Sequence, residues 1–154
     1  MVEDESRHIK DVMTPEVVTL APTAKAKEAA ALMRSLNIGA IPICEGTHLM
    51  GMVTDRDLVL RVMAEGLNPE HEIIRTIMTS DVDYCYEDQT VEEAAQVMQD
   101  RQVRRLPIIN RENELVGIVS LGDVAVKGTD RMTTATALEE ISQPAEPKRN
   151  ADEG

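Results

Sequence analysis

The strongest constraint on this chain is that its sequence occurs twice. Asp11-Val12-Met13-Thr14 returns as Thr76-Ile77-Met78-Thr79, and Ile38-Gly39-Ala40-Ile41-Pro42-Ile43 returns as Val103-Arg104-Arg105-Leu106-Pro107-Ile108, both displaced by 65 residues. Gly51-Met52-Val53-Thr54-Asp55-Arg56-Asp57 returns as Gly117-Ile118-Val119-Ser120-Leu121-Gly122-Asp123, displaced by 66. A single inserted residue reconciles the copies, and such regular duplication implies a pseudo-symmetric pair with its function in the clefts between copies. In a chain of 154 residues, halves of this size are expected to share one core. The first repeat with its lead-in is placed at residues 1–66, the second at 67–130 and a tail at 131–154.

Hydrophobic periodicity gives each copy the order strand, helix, strand, strand, helix, an α/β (α+β) class. In copy one Val17 to Leu20 reads as a short strand, and Ala29, Leu32, Met33 and Leu36 recur at the spacing of one helical face. Ala40 to Cys44 and Leu49 to Thr54 read as apolar strands joined through Gly46, and a helix follows from Asp55 to about Glu65, ended by Gly66 and Pro69. Copy two repeats this with a strand at Asp83 to Tyr86, a helix from Val91 to about Gln102 opened by a Thr90–Glu93 capping box, strands at Leu106 to Ile109 and Leu115 to Ser120, and a last helix from Leu121 that fades at Gly128. Met13 and Met78 read as core fillers where each copy begins. A short helix over Thr133 to Ile141 is expected, then a disordered tail beyond about 142.

A net charge of −12 disfavours nucleic acid and anionic membrane surfaces, which draw their affinity from Lys and Arg. No basic and apolar leader and no run of membrane-spanning length is visible, so the expected location is the cytoplasm. Cys44 and Cys85 have no metal or redox spacing and read as small buried residues. His8, His48 and His71 read as surface histidines, so neither a metal site nor a catalytic constellation is expected.

The repeated junctions carry the chemistry. Thr54 and Asp57 stand where a strand becomes a helix, as do Ser120 and Asp123. A hydroxyl with helix-initial N–H groups suits a phosphate, and a carboxylate three residues on can accept two ribose hydroxyls. The same spacing would equally serve as a helix cap and nothing more.

The order of elements, the Ile38-Gly39-Ala40-Ile41-Pro42 strand and the Gly51 to Asp57 and Gly117 to Asp123 junctions resemble the CBS domain, named after cystathionine β-synthase; two in tandem form a Bateman module. The resemblance covers Ile9 to about Gly128. Ile38 to Cys44, Thr54 to Asp57 and Val103 to Pro107 look like the corresponding runs of the stand-alone hypoxic response protein group. It implies two β-α-β-β-α repeats acting as a non-catalytic regulatory module, with no required cofactor. The ligand would be adenosine-containing: AMP, ADP, ATP or S-adenosylmethionine.

In the family each cleft joins the Ser/Thr and Asp of one copy to the first two strands of the other. Carried over, Thr54 and Asp57 would face Arg104, Arg105 and Pro107, with Asp88 and Ala94 at the adenine end. Ser120 and Asp123 would face Gly39, Ala40 and Pro42, with Thr23 and Ala29 nearby. Only the first cleft offers guanidinium groups, which hold phosphate oxygens by charged hydrogen bonds. Arg104 and Arg105 could instead solvate a strand end or pair with Glu112 and Glu114. With neither Phe nor Trp present, only Tyr84 and Tyr86 could stack on a base.

Leu58, Val59, Val62 and Met63, with Val124 and Val126, offer more apolar surface than small sheets cover, so a homodimer through these helices is expected, and an unidentified protein target would receive the signal. The alternative is a ligand-free pair acting as a structural or protein-interaction dimer.

Overall fold

The computed structural model describes residues 7–127. The expected helix over 133–141, the tail beyond 142 and the side chain of Val126 lie outside the described residues.

Copy one builds α1 (Ala26–Leu36), β1 (Ala40–Glu45), β2 (His48–Thr54) and α2 (Asp55–Leu58), which runs on as a π-helical turn, Val59–Met63. α1 forms because its apolar side chains recur on one face: Ala26, Ala29 and Met33 are buried, whereas Leu36 at the helix end is exposed. β1 and β2 pair antiparallel from Ala40 opposite Thr54 to Glu45 opposite His48, with an irregularity after Ile43, and Gly46 supplies the positive φ of the connecting turn. A short α3 (Ile74–Ile77), unforeseen from periodicity because one helical turn carries too little pattern, follows copy one.

Copy two contributes β3 (Cys85–Tyr86), α4 (Val91–Arg101), β4 (Arg105–Ile109), β5 (Leu115–Ser120) and α5 (Leu121–Lys127), with sheet order β3-β4-β5. The capping box of α4 forms as expected: Glu93 N–H donates to Thr90 Oγ1 at 3.1 Å, and Thr90 N–H to Glu93 Oε1 at 2.9 Å. Thr90→Ala should cost about 1 kcal/mol in urea denaturation. The copies share fine detail. Asn37 and Gln102 both adopt left-handed φ just after their helices, and Gly39 and Arg104 each give a backbone carbonyl to the first N–H of the next helix, at 2.9 and 2.7 Å.

The first expected strand is corrected. Between Val17 and Leu20 only Leu20 pairs, as an isolated parallel bridge to Ile43, its N–H donating to Pro42 and its carbonyl accepting from Cys44. Glu16 immediately upstream sits at φ 57°, which turns the chain and leaves residues 17–19 without ladder partners.

The chain forms two compact units, and their composition differs from the repeat boundary. One contains Glu16–Val82 with Ile109–Val116; the other contains residues 7–15, Asp83–Ile108 and 117–127. Each repeated lead-in joins the last strand of the opposite copy. Thr79 exchanges backbone hydrogen bonds with Met52 on β2, at 2.8 and 2.9 Å, and Thr14 exchanges them with Ile118 on β5, at 2.8 and 3.0 Å. Glycine permits both approaches: a Cβ on Gly51 would lie 2.5 Å from the Thr79 carbonyl oxygen, and one on Gly117 would lie 2.6 Å from Met13 Sδ and 2.9 Å from the Thr14 carbonyl oxygen. Met78 therefore packs against the copy-one core of Ala26, Ala29, Met33, Ile41, Ile43, Val53, Val62, Ile74 and Ile77. Burying isoleucines such as Ile41, Ile43 and Ile74 contributes about 1.5–3 kcal/mol each.

Candidate functional site

The junction of β2 and α2 is built from four residues. Thr54 ends the strand in extended conformation and Asp57 lies on the first helical turn, so their side chains close reciprocally: Asp57 N–H donates to Thr54 Oγ1 at 3.1 Å and Thr54 N–H to Asp57 Oδ2 at 2.9 Å. The capping alternative is thus realised, and it is compatible with a ligand. The Thr54 hydroxyl still has its proton to donate, and Asp57 keeps its second oxygen, Oδ1, outside the box. That oxygen lies 3.9 Å from Arg61 Nε. Among the described residues Asp57 is the only buried charged side chain, 8% exposed. A carboxylate needs compensation to be buried, and here a backbone N–H and a guanidinium provide it.

The junction of β5 and α5 repeats the geometry, with Asp123 N–H to Ser120 Oγ at 3.1 Å and Ser120 N–H to Asp123 Oδ2 at 2.9 Å. Its carboxylate is only half-buried.

Arg104 and Arg105 are exposed at the start of β4, and neither forms an ion pair among the described residues. Glu114, one of their possible acids, is occupied: Asn110 Nδ2 donates to it at 2.9 Å and Thr47 Oγ1 at 3.2 Å, and these bonds hold its carboxyl below the usual range. Pro107 is buried in β4 beside them, and Asp88 is exposed in the turn before α4. At the corresponding place in copy one, Gly39 and Ala40 are half-buried and Pro42 is buried. Asp55 occupies the space over Gly39, its Oδ2 3.0 Å from where a Cβ would stand. Where one copy presents arginine, the other presents a carboxylate. Thr23 is exposed ahead of α1. Ala29 and Ala94 are fully buried at 0% exposure and hold α1 and α4 in their units.

Two residues of this region escaped the sequence reading. Arg61 was findable, since it stands four residues after Asp57 on the same helical face. Asp55 was not, because its place over Gly39 depends on the Ala40–Thr54 register.

Tyr84 and Tyr86 pack edge to face with centroids 5.7 Å apart. Cys44 and Cys85 are both buried, and neither is in a disulfide. Burial raises the Cys44 thiol, and burial followed by the charges of Glu93 and Asp83 pushes Cys85 up to about 11. Both are protonated at neutral pH, so maleimide labelling of the native protein should be slow and should accelerate on unfolding; fast native labelling would contradict this geometry. Among the described residues no three His, Cys, Asp or Glu side chains are grouped to hold a metal ion, and no helix is long and apolar enough to cross a membrane.

The model of the CBS domain matches residues 9–64 and again 74–127. The chain is a tandem CBS-domain protein. This tandem CBS protein is 41% identical over 134 residues to the CBS domain-containing protein YhcV of Bacillus subtilis, a match covering 87% of this chain and 94% of that one. Hypoxic response protein 1 of Mycobacterium tuberculosis is 37% identical over 117 residues, covering 75% of this chain and 81% of that one. The crystal structure of Hypoxic Response Protein I with two coordinated zinc ions superposes with a TM-score of 0.71 at 35% identity, covering 78% of this chain and 98% of that one. CBSX2 in complex with AMP superposes with a TM-score of 0.66 at 20% identity, covering 86% and 96%, which establishes the shared fold. The tandem CBS fold is α+β, as its sequence implied.

Proposed function

We propose that this tandem CBS protein is a non-catalytic, cytoplasmic sensor of adenine nucleotides. In this reading Thr54 and Asp57 hold phosphate and ribose, Arg104 and Arg105 supply the positive charge, and Asp88 and Pro107 border the base. The observation that carries it is the buried Asp57 carboxylate at a strand-to-helix junction, with one oxygen spent on the cap and the other left at ion-pair distance from Arg61. The exposed arginine pair without an ion pair among the described residues supports an anionic group in the ligand, and CBSX2, of the same fold, is solved with AMP.

The Ser120 and Asp123 site takes no phosphate in this reading, because Asp55 over Gly39 replaces arginine with negative charge. An uncharged nucleoside or S-adenosylmethionine suits it better. The test is thermal denaturation with AMP, ADP, ATP, S-adenosylmethionine and adenosine. A nucleotide present at a hundredfold its dissociation constant should add about 2.7 kcal/mol, and no shift at millimolar concentration would reject the sensor.

Arg105 gives the sharper test. A charged hydrogen bond contributes about 1.5–3 kcal/mol only when its acceptor is present, so Arg105→Ala should weaken AMP by roughly ten- to a hundredfold and leave adenosine unchanged. An unchanged ratio of AMP to adenosine affinity, measured by calorimetry, would remove Arg105 from the site.

A second reading, a structural or protein-interaction dimer, is favoured by a groove of ≈ 400 Å³ between α1 and the π-helical turn, lined by Ala26, Ala30, Val59, Val62, Met63 and Leu67 among others. Met63 is 73% exposed, Val59 48% and Leu67 41%. We assign this face to a second copy of the chain. Sedimentation should give a dimer that Met63→Lys converts to monomer, whereas a monomeric native protein would reject it.

A further inference from the structure

Arg61 touches two features at once. Its Nε lies 3.9 Å from Asp57 Oδ1, and its Nη1 donates to the carbonyls of Ile77 and Met78 at 3.1 and 3.2 Å. Those carbonyls belong to the end of α3, where the helix leaves its last acceptors unsatisfied, so the guanidinium serves as a side-chain cap. The next residue, Thr79, is the one that pairs with Met52 on β2. A single planar group thus spans from a buried carboxylate to the segment that completes the copy-one sheet.

We infer that Arg61 is a positioning residue that transmits occupancy of Asp57 to the Ile77–Thr79 segment. The inference rests on the reading that Asp57 accepts ribose hydroxyls. At 3.9 Å the contact with Asp57 is electrostatic and lacks a hydrogen bond, whereas the two carbonyl contacts are hydrogen bonds. A hydroxyl donating to Oδ1 competes with Nε for that oxygen and disperses its charge. Arg61 is then held by the carbonyls alone, which tightens the cap on α3 and the Thr79 pairing behind it.

The pseudo-symmetry supplies an internal control. Thr14 makes the same backbone bond to Ile118, at 2.8 Å, that Thr79 makes to Met52, and in the sequence the repeat offset aligns Arg61 with Lys127, a residue type that has no guanidinium. The two amides therefore report the same kind of bond with and without the guanidinium.

The experiment is amide hydrogen exchange of full-length protein, free and saturated with AMP, read at Thr79 and Thr14. In wild type AMP should slow Thr79 at least about threefold more than Thr14. In Arg61→Met that difference should vanish, and any change in affinity should fall equally on AMP and adenosine, because Arg61 acts at the ribose end, which the two share. Arg61→Lys keeps a cation near Asp57 without the fork, so it should retain affinity within about threefold and still lose the Thr79 response; it also serves if Arg61→Met folds poorly. Equal slowing of Thr79 and Thr14 in saturated wild type, or persistence of the difference in either variant, overturns the coupling while leaving nucleotide binding intact. Absence of any binding by wild type instead rejects the ribose role of Asp57 and the coupling with it.

Discussion

Asp57→Ala should weaken AMP by about a hundredfold or more, because two ribose hydroxyls lose a charged acceptor at about 1.5–3 kcal/mol each. The same substitution opens the α2 capping box, which accounts for about 1 kcal/mol of stability independent of ligand. Asp123→Ala opens the equivalent box and should carry a similar stability loss, yet AMP affinity should stay within about threefold if, as proposed, the arginines serve the other site. Calorimetry on both variants, with urea denaturation of each, separates the two effects. Equal loss of AMP from both substitutions would refute the asymmetry argued from Arg104, Arg105 and Asp55.

Gly51→Ala should be the most destabilising glycine-to-alanine change among the described residues. The new Cβ meets the Thr79 backbone oxygen at 2.5 Å, and a backbone atom in a paired segment cannot rotate aside as a side chain could. Overpacking of this kind costs about 1–3 kcal/mol. Forcing the strands apart also strains the two hydrogen bonds between Met52 and Thr79, each contributing about 1 kcal/mol. We expect a total of about 3 kcal/mol by urea denaturation. Gly46→Ala is the control: nothing lies within 4 Å of its Cβ, and only the positive φ is penalised, at about 1 kcal/mol. Similar losses in the two variants would mean that Thr79 does not approach β2 as described.

Much of the fold was legible because the duplication tests each assignment twice. An ambiguous apolar run at Ala40 to Cys44 becomes a strand once Leu106 to Ile109 repeats it, and the left-handed residues after α1 and α4 recur at Asn37 and Gln102. What the sequence hid were the features set by tertiary pairing. Val17 to Leu20 has strand composition, but only Leu20 finds a partner, and β propensity without a neighbouring edge forms no ladder. The lead-ins were visible as repeats, yet nothing local to Met13 or Met78 says that each sits with the other copy's last strand. At the junctions, spacing revealed the carboxylates and hydroxyls and offered the helix cap as an alternative, which both boxes realise. The charge difference between the sites was half legible: arginine against glycine could be read directly, whereas Asp55 over Gly39 needed the hairpin.

The exchanged lead-ins also fix an order of events during synthesis. Residues 7–15 are made before the rest of the described chain: Arg7, Ile9 and Lys10 find their backbone partners at Val91, Gln89 and Glu87, but Thr14 must wait for Ile118, until nearly all of the described chain has emerged. Copy one, by contrast, can close its sheet as soon as Thr79 is out. The nascent protein can therefore pair Met52 with Thr79 before Ile109–Val116 completes that unit and before Thr14 meets Ile118, and anything that binds the Thr14 segment early would hold that last pairing open.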